Sequence, residues 1–432
     1  MKPAWIILPV GTGSTTQIEE RSATQQDSPQ VSETILQLLR EWPPGFGGVE
    51  RVAHELASVW GGRVYSFDSQ RQAGHASDPC LVTYPRQVLP CCPPVARLRL
   101  PWPSQTLGKL LLSSQHLHGH LPSPGVLLLL VTAKVLNPRR RVTAHWHSFL
   151  ERSPGLSGRL FLFYQWLALR LLPLLDGVIT TSPVLAEALI HQGCRAKRVQ
   201  VLPCCLSSAQ EQQLLAIPAR TVASKRPMRV LFIGRLASYK RLDWLLIALA
   251  ELKQGWELHI VGDGPHRDAF QHLSHSLMGP DAPVTFLGQL DEATKLQQIA
   301  RADVLVLPSD RSNEAFGIVQ LEAMAAGIPA LAFERKRSGM GWVCQLEGLP
   351  WTQTPENLSN VLSLLMDDPQ KRHELGLEAR KRYQELFARP HWLNTLQAWT
   401  QSPPRQNSAE ETPTDQDAET QKRHSHKHNT TN

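Results

Sequence analysis

The chain has 432 residues, 42% of them hydrophobic, enough for two ordinary cores of roughly 100–200 residues each with tails. Its 45 Lys and Arg against 38 Asp and Glu give a formal net charge of +7, which suits a phosphorylated substrate or an anionic membrane surface. No run reaches the ~18–20 unbroken apolar residues of a membrane span, and no RNA- or DNA-binding module or basic stripe accompanies the charge, so no nucleic-acid partner is expected.

Residues 1–33 open the chain. From 11 onward they are rich in Ser, Thr, Gln and Glu without periodicity and are expected to form a flexible extension. The next pattern is a strand over 34–39, a helix over 49–59 and a strand over 63–67. Residues 77–105 carry many Pro and Cys and show no pattern. A helix follows over 126–136, then strands over 141–145 and 178–181 and a helix over 183–191. Residues 203–223 read as the connection between two domains.

The second half alternates more regularly. Strands are predicted over 229–233, 257–261, 284–287, 303–307 and 329–333. Helices are predicted over 242–252, 292–300, 318–326, 356–366, 370–387 and 390–399. Such alternation means βαβ units and parallel sheets covered on both faces. The fold class is therefore α/β. Two Rossmann-like, doubly wound parallel-sheet domains, residues 34–215 and 216–388, face each other across a cleft. A helix over 389–401 and a disordered tail over 402–432 complete the chain. The tail's Arg423-His424-Ser425-His426-Lys427-His428 reads as a solvated tract able to bind metal weakly.

Seven cysteines, none in CxxC spacing, form no disulfide or metal framework. They read as reduced thiols, and the expected setting is cytoplasmic. The short apolar patch over 4–10 has no cleavage site after it, so no signal peptide is expected.

The chemistry concentrates in residues 309–329, SDRSNEAFGIVQLEAMAAGIP. Glu314 lies in the loop after a strand. Phe316, Gly317 and Ile318 open a helix whose first amides are free to hold a phosphate. Glu322 sits on that helix, and a carboxylate, offering acceptors only, suits a pair of sugar hydroxyls. Two glutamates at this spacing are common on surfaces; the strand, glycine and apolar run around them set these apart. The second segment is Gly234-Arg235-Leu236-Ala237-Ser238-Tyr239-Lys240-Arg241. Arg235 and Lys240 follow a strand's carboxyl end, where a guanidinium and an ammonium suit a pyrophosphate. Taken alone they would equally be two solvated cations.

With these pieces in order, the chain resembles the GT-B glycosyltransferases, in particular the large retaining family 4. The resemblance rests on Gly47-Gly48-Val49-Glu50-Arg51, His145-Trp146-His147-Ser148, Gly234-Arg235-Leu236 with Lys240, Val261-Gly262-Asp263-Gly264-Pro265, and Glu314 through Met324. It implies a transferase moving a hexose from a nucleotide sugar, GDP-mannose or a UDP-sugar, to a glycan or lipid-linked acceptor with retention of configuration. It implies Glu314 beside the donor sugar, Glu322 on the ribose, Arg235 and Lys240 on the diphosphate, and Gly47 and Gly48 approaching it. His147 matches the family's active-site histidine, whereas His145 reads equally as a core histidine. No cofactor and no metal are implied, since Arg235 and Lys240 would do a metal's work. The alternative is a non-catalytic nucleotide-sugar-binding protein of a polysaccharide assembly complex.

Three departures from the family bear on acceptor handling. Phe149 stands where relatives often carry an acid. Cys204-Cys205 replaces a Pro-Asn-Gly turn. Residues 346–352 are read as lacking the glycine-containing turn common in relatives before the final helices. Residues 159–170, apolar and aromatic with Arg at each end, read either as a helix lying on an anionic membrane at the inner face of the plasma membrane or as an ordinary buried helix.

Overall fold

Strands covered on both faces read as unbroken apolar runs, and such runs build much of the C-terminal sheet. In the computed structural model the described residues are 34–41, 47–67, 82–92, 99–152, 155–218, 226–252, 254–349 and 351–401. The expected N-terminal extension, the C-terminal tail and Cys80 lie outside them. The N-terminal half runs β1 (Leu36–Leu39), α1 (Gly48–Trp60), β2 (Val64–Phe67), β3 (Arg86–Leu89), α2 (Gln105–Leu112), β4 (Leu117–Leu121), α3 (Pro124–Leu136), β5 (Val142–Trp146), α4 (Leu156–Leu171), β6 (Gly177–Thr180), α5 (Pro183–His191), β7 (Val199–Val201) and α6 (Ser208–Leu215). The C-terminal half runs β8 (Met228–Ile233), α7 (Leu242–Glu251), β9 (Trp256–Val261), α8 (Arg267–Met278), β10 (Val284–Gly288), α9 (Glu292–Arg301), β11 (Val304–Leu307), α10 (Ile318–Ala325), β12 (Ala330–Ala332), α11 (Met340–Val343), α12 (Leu358–Asp367), α13 (Pro369–Leu386) and α14 (Arg389–Gln401).

The seven-stranded sheet has the order β3-β2-β1-β4-β5-β6-β7, and the five-stranded sheet β10-β9-β8-β11-β12. Every strand pair is parallel. The order reverses between β1 and β4 in one sheet and between β8 and β11 in the other. Doubly wound sheets bind ligands at these reversals, outside the strands' carboxyl ends.

The sequence reading passes over β3, α2, β7, α8, α11 and, most consequentially, β4. β4 is LHGHL, a fully buried central strand, but two histidines and a glycine hide its apolar pattern. Residues 203–223 are not simply a connection. Ser207 and Gln210 form a capping box, which satisfies two orphan amides and starts α6 in the middle of that segment. The turn over 346–352 does use a glycine: a Cβ on Gly348 would lie 2.8 Å from the Glu378 carboxylate, which accepts from the Gly348 amide.

The last helix packs back onto the N-terminal domain. Trp60 Nε1 donates to Thr400 Oγ1 at 3.3 Å, and Arg141 donates to the carbonyls of Thr400 and Trp399 at 2.9 and 3.1 Å. At the start of α14, Arg389 meets the Glu55 carboxylate of α1 at 2.5 Å. Trp60, Trp392, Leu396 and Trp399 join one hydrophobic core with the C-terminal sheet, so the two halves share apolar packing at this side. A second core fills the N-terminal sheet.

Candidate active site

The chain emerges from β8 into Gly234 and Arg235. The Val261-Gly262-Asp263-Gly264 turn after β9 presses directly on this loop. A Cβ on Gly262 would lie 2.0 Å from the Gly234 carbonyl, and one on Gly264 would lie 2.4 Å from the Leu236 carbonyl. The Leu236 amide donates to the Asp263 carbonyl at 3.0 Å. These glycines therefore serve backbone packing that supports Arg235. Arg235 itself is exposed, with no ion pair among the described residues.

Lys240 closes a short turn, is nearly buried, and its ammonium is ion-paired with Glu314 from the loop after β11. The same two loops are joined by the Asp310 amide, which donates to the Tyr239 carbonyl at 3.1 Å. Arg241 next to Lys240 adopts the left-handed conformation, φ 47°, rare for a side-chain-bearing residue. Its guanidinium bonds to Asp243 and Asp310 and lies 3.6 Å from the Trp244 ring centroid, contacts that hold the unusual backbone in place.

Gly317 precedes α10 with φ 74°. A Cβ there would lie 2.4 Å from Leu307 Cδ2, so both conformation and space require glycine. The carbonyls beside it are occupied: Ser338 Oγ donates to Glu314 O, the Gly339 amide to Ala315 O, and Gln320 Nε2 to Phe316 O, at 2.6, 2.7 and 2.7 Å. The Ile318 and Val319 amides at the start of α10 have no intrahelical acceptor, whereas the Gln320 amide donates to the Gly317 carbonyl at 2.9 Å. Gly48 faces them from the N-terminal domain: a Cβ on Gly48 would lie 3.9 Å from Ile318 Cδ1. Gly47 is covered instead by the Glu50 carboxylate, 2.0 Å from where its Cβ would be. Burial raises the Glu50 carboxyl above its ordinary value.

Glu322 is fully buried. Its Oε1 accepts from Lys295 at 2.9 Å and from Arg51 at 3.5 Å, and Arg51 also donates to Gln210 at 3.2 Å. Oε2 is buried without a partner, an unfavourable state for a carboxylate oxygen. Arg51 belongs to α1, so the N-terminal domain reaches Glu322 directly.

His147 lies just past β5, buried, with its amide bonded to Leu121 O at 2.9 Å. Its Nε2 is 2.9 Å from His120 Nδ1, and its ring stacks on His145 at 4.1 Å. Burial holds its imidazole well below the ordinary pKa, in the neutral form. The chain after it docks on the C-terminal domain. Ser312 Oγ donates to Phe149 O at 3.2 Å, and the Ser312 amide donates to the Glu151 carboxylate at 2.5 Å. Phe149 is a core residue against Trp146. The acid near this loop is Glu151, two residues later than the family pattern.

The structure thus joins Lys240 with Glu314, sets Gly48 against the start of α10, and links Glu322 to α1. Sequence reasoning missed Arg51, Glu151 and Lys295. Arg51 stands inside a motif that carried only its glycines; Glu151 and Lys295 have no local signal. Cys204 and Cys205 are buried in the core. Burial pushes the Cys204 thiol up to about 12 and Cys205 well above its usual value.

A family model described as "Glycosyl transferases group 1" matches residues 216–382, and one described as "Glycosyltransferase Family 4" matches residues 46–209. The chain belongs to the GT-B glycosyltransferases. An uncharacterized glycosyltransferase of Methanocaldococcus jannaschii is 39% identical over 104 residues, covering 24% of this chain and 26% of the relative. The D-rhamnosyltransferase WbpZ of Pseudomonas aeruginosa is 32% identical over 168 residues, covering 37% and 42%. The matched stretch spans less than half the length of either relative. The crystal structure of Anabaena HepE in complex with UDP superposes with a TM-score of 0.65 at 20% identity, covering 85% of this chain and 99% of that one. That likeness shows the GT-B fold of this glycosyltransferase. Among its described residues no helix is long and apolar enough to cross a membrane.

Proposed function

We propose that this GT-B glycosyltransferase moves a hexose from a nucleotide sugar, GDP-mannose or a UDP-sugar, to a glycan or lipid-linked acceptor, retaining anomeric configuration. One observation carries the reading: at the β8/β11 reversal, Lys240 from one loop is ion-paired with Glu314 from the other. An ammonium has three donors. Glu314 takes one and leaves two for diphosphate oxygens. Exposed Arg235 and the first amides of α10 would add to this anion site in the proposed complex.

Breaking the anomeric bond builds negative charge on the nucleoside diphosphate. Groups fixed before reaction stabilise that charge most effectively. Arg235 and Lys240 supply the positive charge at the diphosphate, so no metal is needed there. Glu322 Oε2, buried and unpartnered, suits a ribose hydroxyl. Neutral His147 offers hydrogen bonds without adding charge. With no carboxylate assigned as covalent nucleophile, the leaving phosphate takes the acceptor's proton on the same face. The crystal structure of HepE in complex with UDP supports a nucleoside diphosphate as ligand.

The acceptor face is read from α4. Leu160, Phe163 and Trp166 are 52%, 58% and 53% exposed, which disagrees with an ordinary buried helix. Arg170 lies over the Trp166 ring. An apolar face with basic flanks suits the headgroup region of an anionic membrane, where lipid-linked acceptors would be met. A cavity of ≈ 410 Å³ lined by Gln165, Trp166, Arg170, His191 and Arg337 opens beside it.

The test is a panel of nucleotide sugars read by thermal shift, followed by transfer assays with NMR of the product. A ligand at 100 times its Kd stabilises by about 2.7 kcal/mol. A clear rise with a GDP- or UDP-sugar and a product of retained configuration are expected. No stabilisation by any nucleoside diphosphate would sink the donor site, and an inverted product would sink retention.

A further inference from the structure

Alternation along a strand puts residues i and i+2 on one face. On β4 this aligns His118 and His120, with His116 just before the strand. The register pairs His118 with Thr143 and His120 with His145, so His145 and then His147 join the same face from β5. We propose that this face holds a divalent transition-metal ion of the zinc class, ligated by His118, His120 and His145.

The geometry supports three nitrogen donors. One ring nitrogen from each of the three lies within 4.8 Å of the other two. All three side chains are buried. The distal contacts are those of ligating imidazoles, which usually bond through the other ring nitrogen to fix tautomer and orientation. His118 Nδ1 is 2.8 Å from Thr143 Oγ1, and His120 Nε2 is 2.9 Å from Gln37 Oε1. Because Gln37 Oε1 accepts only, His120 Nε2 carries the proton and its Nδ1 keeps the lone pair. His118 Nε2 and both nitrogens of His145 are buried without any partner. Buried polar atoms are normally satisfied, and an unpartnered nitrogen on each of His118 and His145, beside His120 Nδ1, leaves a place for an occupant.

The donor set selects the ion. Imidazole nitrogens favour zinc, copper or nickel over magnesium or calcium, which prefer oxygen. The donors, now up to 4.8 Å apart, would close to the ~3.3 Å edge of a tetrahedron with ~2.0 Å bonds around the ion. His147 Nε2, 2.9 Å from His120 Nδ1, stands next to the fourth position, which it or a solvent hydroxide would fill. The ion would lock β4 to β5 where they deliver His147 to the cleft. Its place is structural and separate from the diphosphate, which Arg235 and Lys240 attend.

The tail's own histidines would obscure a binding measurement, so the test uses the full chain carrying His424→Ser, His426→Ser and His428→Ser. Metal content after purification and dialysis is read by mass spectrometry, and Zn²⁺ affinity by competition with a chromophoric chelator. About one retained equivalent is expected, with Co²⁺ giving the visible bands of a tetrahedral site. Adding His118→Gln or His145→Gln should weaken Zn²⁺ binding about 10-fold or more, with the circular dichroism unchanged. No retained metal and no competition in the tail variant would overturn the proposal and leave water as the occupant. Where a histidine variant fails to fold, X-ray absorption of the zinc-loaded tail variant decides. Three or four imidazole ligands uphold the site, and fewer than three refute it.

Discussion

Lys240→Met separates the structural and chemical parts of the Lys240–Glu314 pair. Lys240 is almost buried, and the Glu314 side chain is only 18% exposed. Removing one partner of a buried pair costs about 3–5 kcal/mol, because the other charge stays buried and unpaired. The remaining exposure of Glu314 places the loss at the low end, about 3 kcal/mol. A domain of this size loses roughly 2–4 °C per kcal/mol, so its transition should fall by roughly 6–12 °C. Lys240→Met/Glu314→Gln has no orphaned charge and should regain most of that loss. Turnover should not follow. Losing one preorganised group at the developing charge lowers kcat by about 10²–10³, and the double variant should remain as slow or slower. Calorimetry and NMR-monitored transfer read the two quantities on the same samples. Wild-type turnover in Lys240→Met, or activity restored together with stability in the double variant, would show that Lys240 is there for packing alone.

Glu322→Gln keeps the shape but removes the charge facing Lys295 and Arg51. Hydrogen bonds to charged groups are worth about 1.5–3 kcal/mol, so UDP or GDP binding by calorimetry should weaken roughly 10- to 150-fold; unchanged affinity would dismiss the ribose role. Gly317→Ala forces a side chain into the left-handed region and against Leu307 Cδ2, which should destabilise by about 2–4 kcal/mol in a denaturant titration; an unmoved midpoint would contradict the geometry. Burial pushes Cys344 up to about 11 and Cys204 up to about 12. Both stay as thiols at pH 8, so iodoacetamide should label neither until the protein is unfolded, as mass spectrometry would read, and labelling of the native chain at a free-thiol rate would count against this packing. Phe163→Glu and Trp166→Glu, on the exposed face of α4, should reduce flotation with anionic liposomes while leaving Tm unchanged; equal flotation would remove the membrane reading.

The C-terminal sheet was legible because its strands are apolar runs closed by glycine or proline turns. β8 and β11 need no context to be seen. The N-terminal sheet hides its centre: β4 spends its buried positions on histidines, so hydrophobic periodicity passes over the strand that borders the reversal. The two residues of the Lys240–Glu314 pair were legible for the same reason as their sheet, since each lies in the loop that follows a readable strand. What joins the halves was not. Arg51 meets Glu322 across 271 positions of sequence, and Glu151 meets Ser312 across 161. Such pairs leave no local trace, because tertiary placement alone gives each residue its partner. The sequence motif at Gly262 and Gly264 was visible, but only the distances to Gly234 and Leu236 show that these glycines serve backbone approach.

The two edges of the cleft differ in kind, and that difference sets how it can open. On one side, Trp60, Trp392, Leu396 and Trp399 share a core, and Arg389 ties α14 to Glu55 and to the Leu206 carbonyl. Separating this side would expose large apolar surface, so it is the natural pivot. On the other side the halves meet mainly through polar contacts, Arg51 with Glu322, Gln210 with Glu292, and Ser312 with Glu151 and Phe149, with the small Ala315 packed on the N-terminal core. Water can replace each of these polar contacts at little net cost. The Arg51–Glu322 contact, at 3.5 Å, is the longest of them and lies where the ribose would sit. A donor entering there meets an edge that opens by exchanging hydrogen bonds while the apolar pivot stays intact. Once bound, its diphosphate would add charge-assisted bonds to Arg235, Lys240 and the start of α10, bringing Gly48 and α10 together around it.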